Sequence, residues 1–92
     1  MIESIISGTV IKQPEQRQGK SGKAFVTVTV RVGRGEETVF VSVIAFDEEV
    51  QRGLMLLGAG DAVSLTGTIK PKVYNEKAGL DMTAQKMISL KG

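Results

Sequence analysis

Strict alternation of apolar and polar side chains over residues 24–32 constrains the fold of this chain most. Four valines share one face of the extended segment: Val26, Val28, Val30 and Val32. The opposite face carries Phe25, Thr27, Thr29 and Arg31. Side chains alternate between two faces along a β-strand, because its side-chain period is two residues. The segment is therefore predicted to be a strand with one face in an apolar core.

The same period predicts four further strands, at residues 3–12, 37–46, 61–70 and 80–90. In residues 37–46 one face holds Val39, Val41, Val43 and Ala45, and the other holds Phe40, Ser42, Ile44 and Phe46. Two phenylalanines are therefore expected on the face opposite the valines. A structural alternative remains for Phe46, since a following helix can cover it.

A helix is predicted over residues 47–58, between the third and fourth strands. Asp47 is a suitable N-cap, and the acidic residues Glu48 and Glu49 suit the positive end of a helix dipole. Apolar residues recur at helical spacing at Val50, Leu54 and Leu57. Gly58 is expected to end the helix.

Two residues in the fourth strand region carry specific expectations. Gly67 predicts a bulge or a close approach of another backbone, because glycine weakens a strand interior otherwise. Pro71 is expected to end the strand, and a lysine-rich hairpin is expected over residues 71–79. In the first strand Ile5 and Ile11 are expected on the outer face, opposite Ile6 and Val10.

Composition excludes several classes of function. The 92 residues contain 41% hydrophobic side chains, which suffices for one small domain over residues 1–92. The chain has no Cys and no His, so the commonest metal ligands and the commonest general base are missing. We expect no cofactor, no metal site and no enzyme activity. No stretch is long enough to span a membrane, and a cytoplasmic protein without a membrane partner is expected.

Charge is segregated along the chain. Residues 12–34 carry six basic side chains and one acidic side chain, whereas residues 36–61 carry six acidic side chains and one basic side chain. Residues 70–77 are basic again through three lysines. A basic, glycine-containing loop such as residues 14–24 suits contact with a phosphate backbone. The alternative is that these charges simply collect in solvated loops.

Five strands with one helix between the third and the fourth is the order of the OB fold. We therefore predict an all-β, five-stranded Greek-key barrel, a fold that binds oligomers across its second and third strands. Other small barrels also have five strands, so strand order alone does not decide the fold.

A run in the basic loop resembles bacterial single-stranded DNA-binding proteins, which carry Pro-Glu-x-Arg, three residues and Ser-Gly-Lys-Ala. The matching residues stand here without a gap: Pro14, Glu15, Arg17, Ser21, Gly22, Lys23 and Ala24. Two further segments are similar to the family, Val43-Ile44-Ala45-Phe46 and Gly60-Asp61-Ala62-Val63 followed by Gly67. The similarity covers nearly the whole chain.

The resemblance implies that Phe40, Phe46 and Tyr74 occupy positions where the family stacks bases on aromatic rings. It also implies binding of single-stranded DNA without strong sequence preference, in replication, recombination or repair. Binding of RNA is not excluded. The candidate binding residues are Lys12, Arg17, Lys20, Lys23, Thr27, Thr29, Arg31, Phe40, Ser42, Phe46, Lys70, Lys72, Tyr74 and Lys77.

The chain departs from the family in two places. The loop between the second and third predicted strands is short, and it lacks one stacking tryptophan of longer members. The chain ends at Gly92 without the acidic tail through which bacterial members recruit other proteins, so no such recruitment is expected.

Two other functions stay open at this point. Ser7-Gly8-Thr9-Val10 and the short length are similar to primosomal replication protein N, a dimeric adaptor in replication restart. A module that binds a peptide through Phe40 and Ile44 is the other alternative. The first strand is also expected to present an unpaired edge, which predicts a homodimer or a homotetramer.

Overall fold

The computed structural model of the protein describes residues 2–33, 35–74 and 77–90, with the backbone alone at residues 2, 72–74, 77 and 78. Within these ranges the chain forms six strands, one short 3₁₀ turn and one helix. They are β1 (Ile2–Val10), β2 (Glu15–Gln18), β3 (Ala24–Val32), the 3₁₀ turn (Gly35–Glu37), β4 (Val39–Ala45), α1 (Glu48–Met55), β5 (Ala62–Tyr74) and β6 (Lys77–Ser89). No helix in the described ranges is long and apolar enough to cross a membrane.

The strands close into a barrel. Neighbouring strands follow the order β1, β5, β6, β4 and β3, and β3 pairs with β1 again through Val30 and Arg31. Between the described strands, β4 and β6 pair in parallel and the other pairings are antiparallel. The helix follows β4, which is the third of the five predicted strands. The predicted all-β barrel with one helix at this place is confirmed.

The core lies inside the barrel and is made by the faces that the alternation predicts. Its buried side chains include Val26, Val28 and Val30 of β3, Val41, Val43 and Ala45 of β4, Val63 and Leu65 of β5, and Met82 and Ala84 of β6. Helix α1 covers one end with Val50, Leu54 and the following Leu57. The opposite faces of β3 and β4 consequently remain outside the core.

Helix α1 begins as predicted and ends earlier. The Oδ1 atom of Asp47 accepts hydrogen bonds from the backbone N–H groups of Glu49 (3.0 Å) and Val50 (3.1 Å), which stabilises the first turn. The last turn is tightened, because the N–H of Leu56 donates to the carbonyl of Gly53, three residues back. The helix therefore ends at Met55 rather than at residue 58.

The basic loop contains a strand that the sequence does not reveal. β2 pairs with β3 from Glu15–Thr27 to Gln18–Ala24, and all four of its side chains are exposed. Such a strand has no apolar face, so the period-two pattern that predicts other strands is missing. A glycine turn joins β2 and β3, in which Gly22 has a φ of 83°.

β5 extends beyond its predicted end. It continues through Pro71 to Tyr74 and pairs with β6 throughout. Among the described residues, its pairing with β1 stops at Ile69, so the Pro71 region is an edge, where the missing N–H of proline is tolerated. Ile11 also differs from expectation, since it follows β1 and is half-buried.

Gly67 is both bulged and closely approached, as predicted. The register between β5 and β6 shifts between Thr66 and Gly67. A Cβ atom on Gly67 would overlap the carbonyl oxygen of Thr83 on β6. Because this neighbour is backbone in a paired strand, it has little freedom to move away.

The change Gly67→Ala is expected to destabilise the barrel by about 2 kcal/mol, the range that overpacking a filled site produces. Urea unfolding followed by circular dichroism measures this loss. Gly19→Ala is the matched control, since its Cβ meets nothing nearer than the Lys23 carbonyl oxygen at 3.7 Å. Equal stability of Gly67→Ala and the wild type would contradict the close packing of β5 on β6.

Candidate nucleic-acid interface

A groove of about 640 Å³ lies over the face of the barrel formed by β3, β4, β5 and β6. We call it the barrel groove. Six of the candidate residues line it: Lys12, Arg17, Thr27, Thr29, Ser42 and Lys70. These side chains come from β2, β3, β4, β5 and the loop before β2, and the barrel brings them together.

Strand register explains why these residues meet. Thr29 lies opposite Ser42, Ser42 opposite Asp81, and Asp81 opposite Lys70, in one row across four strands. A second row runs from Thr27 through Ile44 and Thr83 to Thr68. Residues directly opposite one another have neighbouring side chains on the same face. These two rows therefore consist mainly of hydroxyl-bearing side chains, together with the apolar Ile44 and the charged Asp81 and Lys70.

Two exposed aromatic rings lie at the start of β4 and just after its end, outside the lining of the barrel groove. Phe40 is 51% exposed and lies opposite Arg31 of β3, and Phe46 is 57% exposed just after the strand. The expected exposure of both rings is confirmed, and the alternative that the helix buries Phe46 is wrong. Phe46 packs instead against Phe25, with ring centroids 6.0 Å apart and planes tilted by 48°. This distance suits a favourable tilted pair of rings.

Gln51 fixes the backbone beside this ring pair. Its side chain is only 6% exposed. Its Nε2 atom donates to the carbonyl oxygens of Phe46 (2.9 Å) and Ala24 (3.0 Å). The helix is thereby tied to the end of β4 and to the start of β3, next to Phe25. Sequence reasoning missed Gln51, although its place on the apolar stripe of α1 beside Val50 is a signal for a buried polar contact.

The charges of the barrel groove are not all positive. Arg17 and Glu15 form an ion pair at 2.7 Å, with side chains 60% and 64% exposed. Such an exposed pair is weak, and the guanidinium keeps further N–H donors for a phosphate. Asp81 also lines the groove, and sequence reasoning missed it because a lone acid in a strand forms no motif. Among the described residues, no cluster of His, Cys, Asp and Glu is placed to hold a metal ion.

Several candidate residues lie outside the barrel groove. Lys20 is exposed in the turn between β2 and β3. Lys23 lines a second depression beside α1, together with Phe46, Arg52 and Leu56. Arg31 is exposed next to Phe40.

The hairpin between β5 and β6 carries the remaining candidates. Tyr74 lies opposite Lys77 in its backbone register, and Lys72 lies opposite Gly79. The side chains of Lys72, Tyr74 and Lys77 are outside the described part of the chain, as are Arg34 and Glu76. Their predicted roles stay predictions.

The sequence model of the Single-strand binding protein family matches residues 1–90. This chain belongs to that family. The resemblance indicated by the run from Pro14 to Ala24 is thereby confirmed, whereas the resemblance to primosomal replication protein N is not confirmed. A search of curated proteins gives no match to the chain.

Solved structures of single-stranded DNA-binding proteins share the fold over almost the whole chain. The mitochondrial protein of S. cerevisiae gives a TM-score of 0.79 at 13% identity, over 98% of this chain and 94% of its own. The small protein of Streptomyces coelicolor gives 0.74 at 21% identity, over 96% and 93%. The Plasmodium falciparum protein, solved in complex with single-stranded DNA, gives 0.77 at 13% identity, over 99% and 96%.

Loss of the Gln51 amide is expected to destabilise this family member. Gln51→Leu leaves two carbonyl oxygens without their donor, which costs about 1–3 kcal/mol where the groups stay buried. Urea unfolding measures the loss. Arg52→Leu is the control, because Arg52 is the exposed neighbour on the same helix and is expected to change stability by less than about 0.5 kcal/mol. Similar effects of the two changes would contradict the role of Gln51.

Proposed function

We propose that this protein binds single-stranded DNA without strong sequence preference, by stacking bases on exposed rings and pairing phosphates with lysine and arginine. One observation carries the proposal: Phe40 in β4 and Phe46 just after it are exposed, and the groove lined by Ser42 and Ile44 of the same strand also contains Lys12, Arg17 and Lys70. Membership of the single-strand binding protein family supports the same conclusion.

Stacking accounts for the expected tolerance of sequence. Every base has a π-face, so an exposed ring contributes about 1–3 kcal/mol per base without reading base edges. Phe40 shares one face of β4 with Ser42 and Ile44, and Phe46 follows directly after the strand. Six residues of extended chain span about 20 Å, so a single strand that runs along β4 can stack two bases, several nucleotides apart, on the two rings.

Phosphate contacts account for the expected salt dependence. Lys12, Arg17 and Lys70 come together in the barrel groove, and each phosphate that they neutralise releases counterions. A duplex cannot bind in this way, because its bases are already stacked and paired. We therefore expect single strands to bind far more tightly than duplex DNA of the same length.

The wider role follows from this binding chemistry. We propose that residues 1–92 act as one binding domain in the cytoplasm, in replication, recombination or repair, and that the protein is not an enzyme. DNA is the proposed ligand because of the family. Binding of oligo(rU) measured beside oligo(dT) tests that choice.

We also propose that the protein forms a homodimer or homotetramer through β1. Among the described residues, β1 pairs with β5 from Ile2 to Thr9 but with β3 only at Thr9 and Val10. The remaining edge of β1 therefore offers backbone groups to another strand. Ile5 on its outer face is 70% exposed, and burying it against a second copy would remove an apolar side chain from water.

Removing the ring of Phe40 and the charge of Lys70 is expected to weaken binding in two different ways. Phe40→Ala should cost about 1–3 kcal/mol with an unchanged dependence on salt. Lys70→Ala should make the slope of log affinity against log salt shallower by about 0.7, the value for one phosphate of a single strand. Fluorescence polarisation of labelled oligo(dT) across a salt series measures both quantities.

Val39→Ala is the control for this pair of changes, since Val39 precedes Phe40 and points to the other face of β4. It should leave affinity and salt slope unchanged. The proposal would fail if Phe40→Ala and Lys70→Ala bound oligo(dT) like the wild type, or if duplex DNA bound as tightly as the single strand.

Ile5→Glu is expected to dissociate the proposed oligomer into monomers, because it places a charge in the apolar part of the interface. Light scattering at micromolar concentration measures the mass. Leu56→Glu places the same charge on another exposed apolar side chain, 78% exposed at the end of α1, and should leave the oligomer intact. A monomeric wild-type protein would refute the oligomer.

A further inference from the structure

A second depression, of about 810 Å³, is lined by helix α1 and by the turn that joins β2 to β3. We call it the α1 depression. Lys23 lines it just before β3, and Arg52 and Leu56 line it from the helix and its C-cap. Phe46, directly after β4, belongs to the same lining. Charged and apolar side chains from three parts of the chain therefore meet outside the barrel groove.

The α1 depression continues the outward face of the barrel. Arg17 lines the barrel groove and lies opposite Phe25 in the pairing of β2 with β3, so their side chains are neighbours on one face. The ring of Phe25 packs against that of Phe46 with centroids 6.0 Å apart, and Phe46 lines the α1 depression. A nucleic-acid strand that leaves the barrel groove at Arg17 therefore passes the two rings and comes to the helix.

The charges of the α1 depression suit a phosphate. Lys23 and Arg52 are exposed there, and Glu48 is the one acid among the described residues of its lining. Two cations against one carboxylate leave a net positive charge. The guanidinium of an arginine also presents a fork of N–H donors that matches the oxygens of a phosphate.

Apolar side chains beside these cations suit a base. Leu56 is 78% exposed and Met55 is 39% exposed, at the C-terminal end of α1. That end of a helix carries a partial negative charge, which disfavours a phosphate directly above it. The uncharged face of a base has no such conflict, and covering the two side chains removes apolar surface from water.

We propose that helix α1 forms a further nucleotide-binding site, in which Lys23 and Arg52 hold a phosphate while Met55 and Leu56 support the adjacent base. The inference rests on the proposed binding of single strands, and it extends the bound strand beyond Phe46 onto the helix. A peptide with acidic and apolar residues matches the same side chains, but continuity with the ring pair favours the nucleic-acid strand.

Arg52→Gln tests the phosphate contact. Polarisation is measured across a salt series with oligo(dT) of about 16 nucleotides, the upper end of the site sizes of one OB fold. The variant should bind about two- to tenfold more weakly, the range of one hydrogen bond, and its slope of log affinity against log salt should be shallower by about 0.7. Leu56→Ser should weaken binding with an unchanged slope, because it removes an apolar contact and no charge.

Two glutamates in the first turn of the helix provide a matched pair. Glu48 lines the α1 depression, whereas Glu49 lines a different depression with Asp47 and Lys86. Glu48→Gln should tighten binding by about two- to fivefold, the range of one exposed charge pair, because it removes a repulsion from the phosphate. Glu49→Gln makes the same change in charge and should bind like the wild type.

Wild-type binding by both Arg52→Gln and Leu56→Ser is the result expected if a peptide occupies the α1 depression. That result, or equal effects of Glu48→Gln and Glu49→Gln, would overturn the inference while the proposed function stands. Absence of oligo(dT) binding by the wild-type protein at low salt would instead overturn the proposed function.

Discussion

Burial of one face of β3 and β4 is the constraint on which the rest of the structure depends. Barrel closure places Val26, Val28 and Val30 against Val41 and Val43 in the interior, and burial of these side chains is the main favourable contribution to folding. Because side chains alternate, the same closure directs the other face of both strands outward. The exposed rings and hydroxyl groups of that face are therefore a consequence of how the core is built.

The outward face combines two kinds of attraction that respond differently to conditions. Stacking on the rings is expected to be insensitive to salt, whereas the proposed phosphate contacts of Lys12 and Lys70 are expected to weaken as salt rises. A peptide-binding module would use the apolar contacts and would need few of these cations. The meeting of rings, hydroxyl groups and cations on one face favours an unpaired polynucleotide, and family membership agrees.

Local patterns predicted much of this architecture, and long-range geometry accounts for the rest. The alternation in residues 24–32 and 37–46, the Asp47 cap and the Gly67 bulge each depend on a rule that acts within a few residues. β2 was missed because its side chains are all exposed. The continuation of β5 through Pro71 was missed because it depends on a distant strand: β1 pairs with β5 only as far as Ile69, and proline is tolerated in the unpaired edge beyond. The surroundings of Asp81 and Gln51 could not be predicted from the sequence, because the fold brings residues from distant parts of the chain beside them. Asp81 lies opposite Ser42 and Lys70, and Gln51 bonds to the carbonyl oxygens of Ala24 and Phe46.

An NMR titration with a short oligonucleotide locates the bound strand without any mutation, and so shows whether the outward face of β3 and β4 binds it. We expect the largest amide shifts at residues 27–31, 40–46 and 81–83. Shifts confined to residues 4–7 and 64–66, where β1 pairs with β5, would place the ligand there and would refute binding at the barrel groove.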